Sequence, residues 1–482
     1  MIPRTCLAAR ALTPIFAWAN SRWNSSLSSV ATTRCGRAPG RRGHFRPLLG
    51  LLLLAAASGL AAQEPDLAAI LKRLEQVERD NQGLREELRQ LRQELGRPAA
   101  ESAPLAERVE VQEHRIEEQA QSKVEASQKM PLTLTGMLLF NAFHNGRQSG
   151  TFQYPTRAQL VTGPSSSAAS LRQTVLGLKF QGPGLPGGGT VSGTFYMDFF
   201  AGTGNDPFNH LLHIRTATVD LNWNNTTLSV GQDKPIFAPR EPDSLAQVGI
   251  SPLTSAGNLW DWQPQIRLEH RWHFGEQAGL RAQGGVYLTS ELDANVPALY
   301  ARTLERARPG YEGRAELWAG NEQRRIEIAP GFQLSSTHVA GTTVPSRLVS
   351  MDWLIRPAPM VDLTGAWFRG QNVANTGALR QGFSIRAPGI AIPVHSQGGW
   401  AQVTWRAAPR LTFHLYGGQQ HDRAADLLGT GVSRNFLYAG NWMYRLAPNV
   451  IASFEASQVR TTYLTGRLRL NNHYDLALAY LF

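Results

Sequence analysis

Long apolar runs are what this 482-residue chain most lacks. A helical membrane protein needs repeated stretches of about 20 apolar residues, and here mean hydropathy is −0.27 with a single short apolar run. That excludes a bundle of membrane helices. It leaves open a transmembrane barrel, whose strands alternate lipid-facing with lumen-facing residues and so average to a soluble-looking hydropathy. Cysteine is nearly absent: Cys6 and Cys35 both precede the apolar run, so a chain cleaved after it holds no disulfide and no thiolate metal site. Lysine is scarce too. From Pro131 onward 29 basic residues face 22 acidic ones, and only Lys179 and Lys234 are lysines. The arginines are dispersed, often beside Glu, whereas nucleic-acid binding would cluster them, so no nucleic-acid partner is expected.

Motifs for catalysis or metal binding are missing as well. His210 and His213, like His270 and His273, lie three apart, which on a strand sends them to opposite faces. No metal and no cofactor is expected. Gly182 to Gly189 contains Pro183 and Pro186 and lacks a following Lys-Ser/Thr, so it reads as a turn and not a phosphate cradle. No serine stands in a nucleophile's context, and an enzyme is not expected.

Present instead is a three-part layout: 1–62 a leader and signal peptide, 63–128 a periplasmic coiled coil and linker, 129–482 the barrel. The apolar run Leu48 to Leu60 follows Arg41, Arg42 and Arg46 and ends in small residues before Gln63, the pattern of a secretory signal. From Leu67 the apolar positions step by three and four through Ile70, Leu74, Val77, Asn81, Leu84, Leu88, Leu91 and Leu95. That is the heptad seam of an α-helical coiled coil, with Asn81 as its one amide, a residue that sets register at a cost in stability. Gly96-Arg97-Pro98 then interrupts the helix.

After Pro131 the period becomes two. Sixteen candidate strands start at Leu132, Leu171, Thr190, Leu211, Thr226, Pro264, Gly279, Tyr311, Arg325, Ser346, Met360, Gln397, Arg410, Arg434, Asn449 and Leu470. The expected fold is an all-β transmembrane barrel of about 16 antiparallel strands. Arg356-Pro357-Ala358-Pro359, Arg406-Ala407-Ala408-Pro409 and Arg445-Leu446-Ala447-Pro448 read as three tight turns of one recurring unit, with long polar loops expected near 370–396, 417–433 and 460–469. Facing follows from alternation: Ile266 and Leu268 toward lipid, Arg267, Glu269 and Arg271 toward water. The chain closes with Leu476, Leu478, Tyr480 and Phe482 in alternate positions, which resembles the strand read by the barrel-assembly machinery.

With Val230-Gly231-Gln232, the long loop after it, and Pro264-Gln265-Ile266-Arg267, the layout resembles bacterial porins, most closely the DcaP-like group. The phosphate-selective porins are similar, but their lysine-lined path has no counterpart here. The resemblance implies a homotrimer in the outer membrane of a Gram-negative-type bacterium, embedded in outer-membrane lipid, passing small hydrophilic solutes. An alternative makes the barrel a structural anchor whose coil tethers it to periplasmic partners. The resemblance also implies that the third outer loop, roughly 232–263, folds inward and narrows the pore. That loop carries Glu241, Asp243 and Asp261. Arg267, Arg271, Arg281 and Arg314 sit on the lumen parity of the strands that follow. An acidic loop facing a basic wall would favour small anionic solutes, (di)carboxylates among them; in the competing reading Glu269, Glu312 and Glu316 pair these arginines off.

Overall fold

A computed structural model describes residues 132–201, 210–291 and 296–482. The expected signal peptide and the coiled coil with Asn81 lie outside the described residues. Among those described, sixteen antiparallel strands form one closed wall. They are β1 (Leu132–Asn145), β2 in two pieces (Ser166–Ser170 and Val175–Leu185), β3 (Gly189–Asp198), β4 (His213–Asn222), β5 (Thr226–Asp233) and β6 (Gln263–His273). Next come β7 (Ala278–Leu288), β8 (Pro309–Gly320), β9 (Arg325–Val339), β10 (Thr342–Ala358) and β11 (Val361–Gln371). The last five are β12 (His395–Ala408), β13 (Leu411–Asp422), β14 (Val432–Ala447), β15 (Val450–Tyr463) and β16 (Leu468–Leu481). A separate hairpin, Phe383–Ala387 with Ile390–Pro393, sits between β11 and β12.

Closure is made by β1 and β16, paired from Met137↔Leu481 to Asn145↔His473. No edge remains, which is the condition for spanning lipid with strands, because an unpaired backbone group has no water there to satisfy it. The ring of Phe482 lies where a Cβ on Gly136 would be, 2.4 Å from its Cζ, and the Gly136 amide donates to the Phe482 carbonyl at 3.0 Å. The glycine leaves room for the terminal aromatic at the seam.

Alternation sets what each face carries. On β6, Ile266 and Leu268 are half exposed on the outside, while Arg267 and Glu269 are buried inside. On β15, Ser453, Glu455 and Ser457 face in and Phe454 faces out. Leu476, Leu478 and Tyr480 of β16, and Phe482 just after it, face outward, each 42–53 % exposed.

Turns at the end holding both barrel termini are short: 186–188, 223–225, 274–277, 321–324, 359–360, 409–410 and 448–449. The last three are the recurring Arg-Pro units. Each carries the same irregularity, a register shift at Ile355/Ala358, Arg406/Ala408 and Arg445/Ala447. A bulge there tightens the local twist and ends the pairing. Connections at the opposite end are 146–165, 199–212, 234–262, 289–308, 340–341, 372–394, 423–431 and 464–467. Two expected long loops are therefore corrected. What reads as polar loop near 417–433 is about half strand, and near 460–469 mostly strand, since β13 runs to Asp422 and β15 to Tyr463. Glycine and polar residues there lie on strands that project past the apolar band, where both faces meet water. The hairpin at 340–341 also breaks the expected rule of long loops at this end.

Candidate constriction inside the barrel

The connection 234–262 folds into the lumen. Pro235, Pro239, Pro242 and Pro252 remove ladder donors and fix φ, so the segment cannot extend β5 as a strand. Its apolar residues Ile236, Phe237, Leu245, Val248, Leu253 and Leu259 must still be buried, and the inner wall receives them. Phe237 and Leu259 pack with Leu348 and Phe368; Leu245 and Val248 pack with Met137, Leu139 and Met443; Leu253 packs with Trp400 and Tyr416.

Hydrogen bonds trace the path round the wall. The Ile236 amide donates to Glu312 Oε2 of β8 at 2.8 Å, and Ser350 Oγ of β10 donates to the Phe237 carbonyl at 2.9 Å. The Asp243 amide donates to Gln402 of β12 and Asn441 of β14 donates to the Asp243 carbonyl. Ser244 Oγ donates to Glu455 Oε2 of β15 at 2.6 Å, Asn141 of β1 donates to the Leu245 carbonyl, and Gln173, in the break between the pieces of β2, accepts from the Val248 and Gly249 amides. Arg215 of β4 donates to the Val248 carbonyl at 2.7 Å. The segment thus meets wall elements from β4 through β1 and β2 back to β8. On its return, Gly257 adopts φ +103°, and a Cβ there would lie 2.3 Å from the Gly399 carbonyl and 2.6 Å from that of Gln419. Only glycine fits backbone pressed against backbone in that conformation.

The ionic centre is where Arg240 of this loop enters the wall of β8–β10. Its Nε lies 2.6 Å from Asp352 Oδ1, its Nη2 is 3.5 Å from Glu316 Oε2, and it also pairs with Glu327. Arg314 Nε meets Asp352 Oδ2 at 2.7 Å and its Nη2 meets Glu316 Oε2 at 2.6 Å; Arg281 Nη2 meets the same Glu316 oxygen at 2.6 Å. Arg325 completes the group through Glu327. Burial works against the charge on Arg240, yet the carboxylates of Asp352 and Glu327 hold its pKa above the ordinary arginine value. Toward the short-turn end, Arg356 and Arg406 share Asp362.

All four arginines expected inside are inside, and each is paired. Arg267 meets Asp233 at 3.0 Å and Arg271 meets Glu269 at 2.6 Å, while Arg281 and Arg314 share Glu316. Pairing by Glu269 and Glu316 therefore occurs, whereas Glu312 accepts the loop's amide at Ile236. The three loop carboxylates do not converge opposite the arginines. Glu241 is bound by Lys234 at 2.7 Å. Asp243 sits against Gln402 and His414, 3.7 Å from His414 Nδ1, with its pKa pushed up by burial. Asp261 lies where the loop rejoins β6, accepting from the Trp262 amide at 2.8 Å; burial raises its pKa to about 6 against the pull of that hydrogen bond, Arg380 and His213. Asp352, Glu327, Asp233 and Asp362 are the partners that sequence reasoning missed. For Glu327 a signal existed: Arg325 stands two residues away on the same strand face.

No family model and no curated protein matches this sequence. Among solved structures, the outer membrane channel DcaP of Acinetobacter baumannii is similar with a TM-score of 0.61 and 16% identity, covering 73% of this chain and 97% of that one. An anion-selective porin from Comamonas acidovorans is similar with a TM-score of 0.52 and 12% identity, covering 73% of this chain and 99% of that one. At these identities the shared property is the fold.

Proposed function

We propose that this chain is an outer-membrane porin, a passive channel for small hydrophilic solutes that prefers anions, with (di)carboxylates among those it passes. One observation carries the reading: a closed wall, apolar outside and charged inside, holds its third long connection within the lumen. Such a wall suits lipid without and water within. The two proteins with which it shares a fold are an outer membrane channel and an anion-selective porin.

Charge supports the anion preference. At the loop's entry point Arg240, Arg281, Arg314 and Arg325 stand against Glu316, Glu327 and Asp352, four cations to three carboxylates. Below it Arg356 and Arg406 stand against Asp362, two to one. A small excess of one sign in a confined lumen raises the local concentration of counter-ions. In this reading Glu241, Asp243 and Asp261 trim the preference, Arg267 and Arg271 extend it along the wall, and the end bearing the termini faces the periplasm. The homotrimer, the coil at 63–128 in the periplasm and the assembly role of Leu476, Leu478, Tyr480 and Phe482 belong to the same proposal.

Refolded protein in a planar bilayer tests it. Stable ohmic steps, a reversal potential of anion-selective sign in a KCl gradient, and permeation of succinate into swelling liposomes are expected. Absence of conductance from folded, membrane-inserted protein, or a cation-selective reversal potential, overturns it.

A further inference from the structure

Charge on the outside of the barrel is sparse and one-sided. Among the described residues, four charged side chains occupy outward strand positions: Arg347 on β10, Arg369 on β11, Arg434 on β14 and Arg460 on β15, all exposed. No Asp or Glu shares the outward parity of β10–β16. The outward faces of β1–β8 carry no such charge. All four arginines sit toward the end with the long connections, above the apolar band.

Strand register places them as a patch. Arg369 pairs with Gln397, Gln397 with His421, and His421 with Arg434, one unbroken row across β11–β14. Arg347 is opposite Gln371, two residues above Arg369, and Arg460 is opposite Phe436, two residues below Arg434. Diagonal cross-strand neighbours lie about 7–8 Å apart, so the arginines form two pairs, Arg347 with Arg369 and Arg434 with Arg460. Arg369 and Arg434 are three strands apart, about 14 Å at the usual strand spacing. Among the described residues, Arg347, Arg369 and Arg434 have no ion-pair or hydrogen-bond partner, and Arg460 donates to Gln458 at 2.7 Å and lies over the Tyr438 ring.

Guanidinium groups at the upper edge of an apolar band, three of them unpaired, call for a partner. Wall carboxylates nearby, Asp352, Asp362, Asp422 and Glu455, all face inward and cannot supply one. Immediately beneath the row stand Trp367, Phe436 and Tyr438, side chains suited to the depth of lipid headgroups. Further down the same strands an open apolar groove of about 570 Å³ runs around Gly440, between Trp405, Phe413, Leu415, Trp442 and Phe454. Its upper edge, Leu415 opposite Gly440, is six residues below His421 and Arg434, about 20 Å of strand.

We infer that this arc, β10–β15, is a docking surface for an outer-leaflet glycolipid bearing two phosphates. One phosphate is held by Arg347 and Arg369, the other by Arg434 and Arg460, with Gln397 and His421 bonding the headgroup between them and the acyl chains running into the groove below. Guanidinium forks take phosphate oxygens in bidentate fashion, which ammonium groups do not. A single-phosphate lipid could engage one pair at a time; the separation of the pairs favours two phosphates on one molecule. The inference rests on the outer-membrane reading only for where the lipid is met, and not on conduction.

The test is native mass spectrometry of the folded barrel in detergent, titrated with a bis-phosphorylated, hexa-acylated glucosamine disaccharide lipid, its mono-phosphorylated form, or phosphatidylglycerol. Wild type should retain the bis-phosphorylated lipid at least tenfold more tightly than either other lipid, with affinity falling as salt rises. The variant R347Q/R369Q/R434Q/R460Q should lose that tenfold advantage, and the corresponding four-lysine variant should keep only part of it. Inorganic phosphate should compete only at far higher concentration than the lipid. Equal retention of all three lipids, or a glutamine variant that binds as wild type does, overturns the inference. These side chains are exposed, and heat-resistant migration of the barrel verifies folding. Bilayer conductance of the same samples is a separate readout: barrels that bind lipid but do not conduct would sink the porin reading and leave this one standing.

Discussion

Replacing Arg240 with glutamine tests how the lumen sets its ionic preference. The side chain reaches from the inserted loop to Asp352 at 2.6 Å, to Glu316 at 3.5 Å and to Glu327. Its loss turns a group of four cations and three carboxylates into one of equal numbers. A unit charge acts on an ion about 8 Å away through water with about 0.5 kcal/mol. The term has opposite sign for anion and cation, so their ratio moves by about 1 kcal/mol, or roughly sixfold in permeability. A lower effective dielectric would enlarge the shift.

The assay is the reversal potential in a KCl gradient, read beside single-channel conductance. Arg240→Gln should lower the anion-to-cation permeability ratio roughly sixfold, and Arg240→Lys should leave it near the wild-type value because the charge stays. Breaking a buried pair can destabilise by about 3–5 kcal/mol, so the glutamine variant should also unfold at lower temperature. If the loop merely swung off the wall, conductance would rise in both variants. An unchanged permeability ratio in folded Arg240→Gln, or a shift toward anions, refutes the reasoning.

Three further outcomes follow from the same geometry. Asp261, with its pKa raised to about 6, is neutral below that pH and negative above it; anion preference should therefore weaken as pH rises through 6, and in Asp261→Asn the part of the pH profile centred there should vanish from the reversal potentials. Gly257→Val places a Cβ 2.3 Å from the Gly399 carbonyl at φ +103°; strain and overpacking of this kind cost about 1–3 kcal/mol, so the loop should become cleavable by protease inside an intact barrel, and full protection would contradict its docking on that wall. Deleting Phe482 should reduce the fraction assembled in cells several-fold while leaving the conductance of refolded protein unchanged, and normal assembly by heat-modifiable gel mobility would remove its signal role.

Most of the wall was legible because period-two alternation is a local property. Each of the sixteen expected starts falls within a few residues of a strand. The expected start at Leu171 lands in the break between the two pieces of β2, where Arg172 and Gln173 turn inward and are fully buried. Loop lengths were less legible, since strands beyond the apolar band lose the contrast between faces, as in Gly417-Gly418-Gln419-Gln420 of β13. The same divide runs through the site. Arg271–Glu269, Arg314–Glu316 and Arg325–Glu327 are two residues apart, and side chains at i and i+2 share a strand face. Arg314–Asp352 joins residues 38 apart and Arg240–Asp352 residues 112 apart. Those pairs depend on barrel closure and on where the loop enters, neither of which is written in any local pattern.

Pairing does not make the lumen electrically featureless, because the two signs are not mixed evenly round it. The guanidinium groups of Arg240, Arg281, Arg314, Arg325, Arg356 and Arg406 gather along β7–β12 and the loop that enters there. Across β12–β16 the inward carboxyl groups are met by neutral donors: Glu455 by Ser244 and Asn441, Asp475 by Asn141, and Asp243, on the loop, chiefly by Gln402. These donors bring no positive charge to that side. On the proposed reading, a permeating dicarboxylate would therefore be drawn to the β7–β12 side, where arginines share carboxylates and planar forks outnumber their partners. Adding one carboxylate on that side, as in Gln283→Glu beside Arg314, should cancel the preference in KCl reversal potentials with the total number of arginines unchanged.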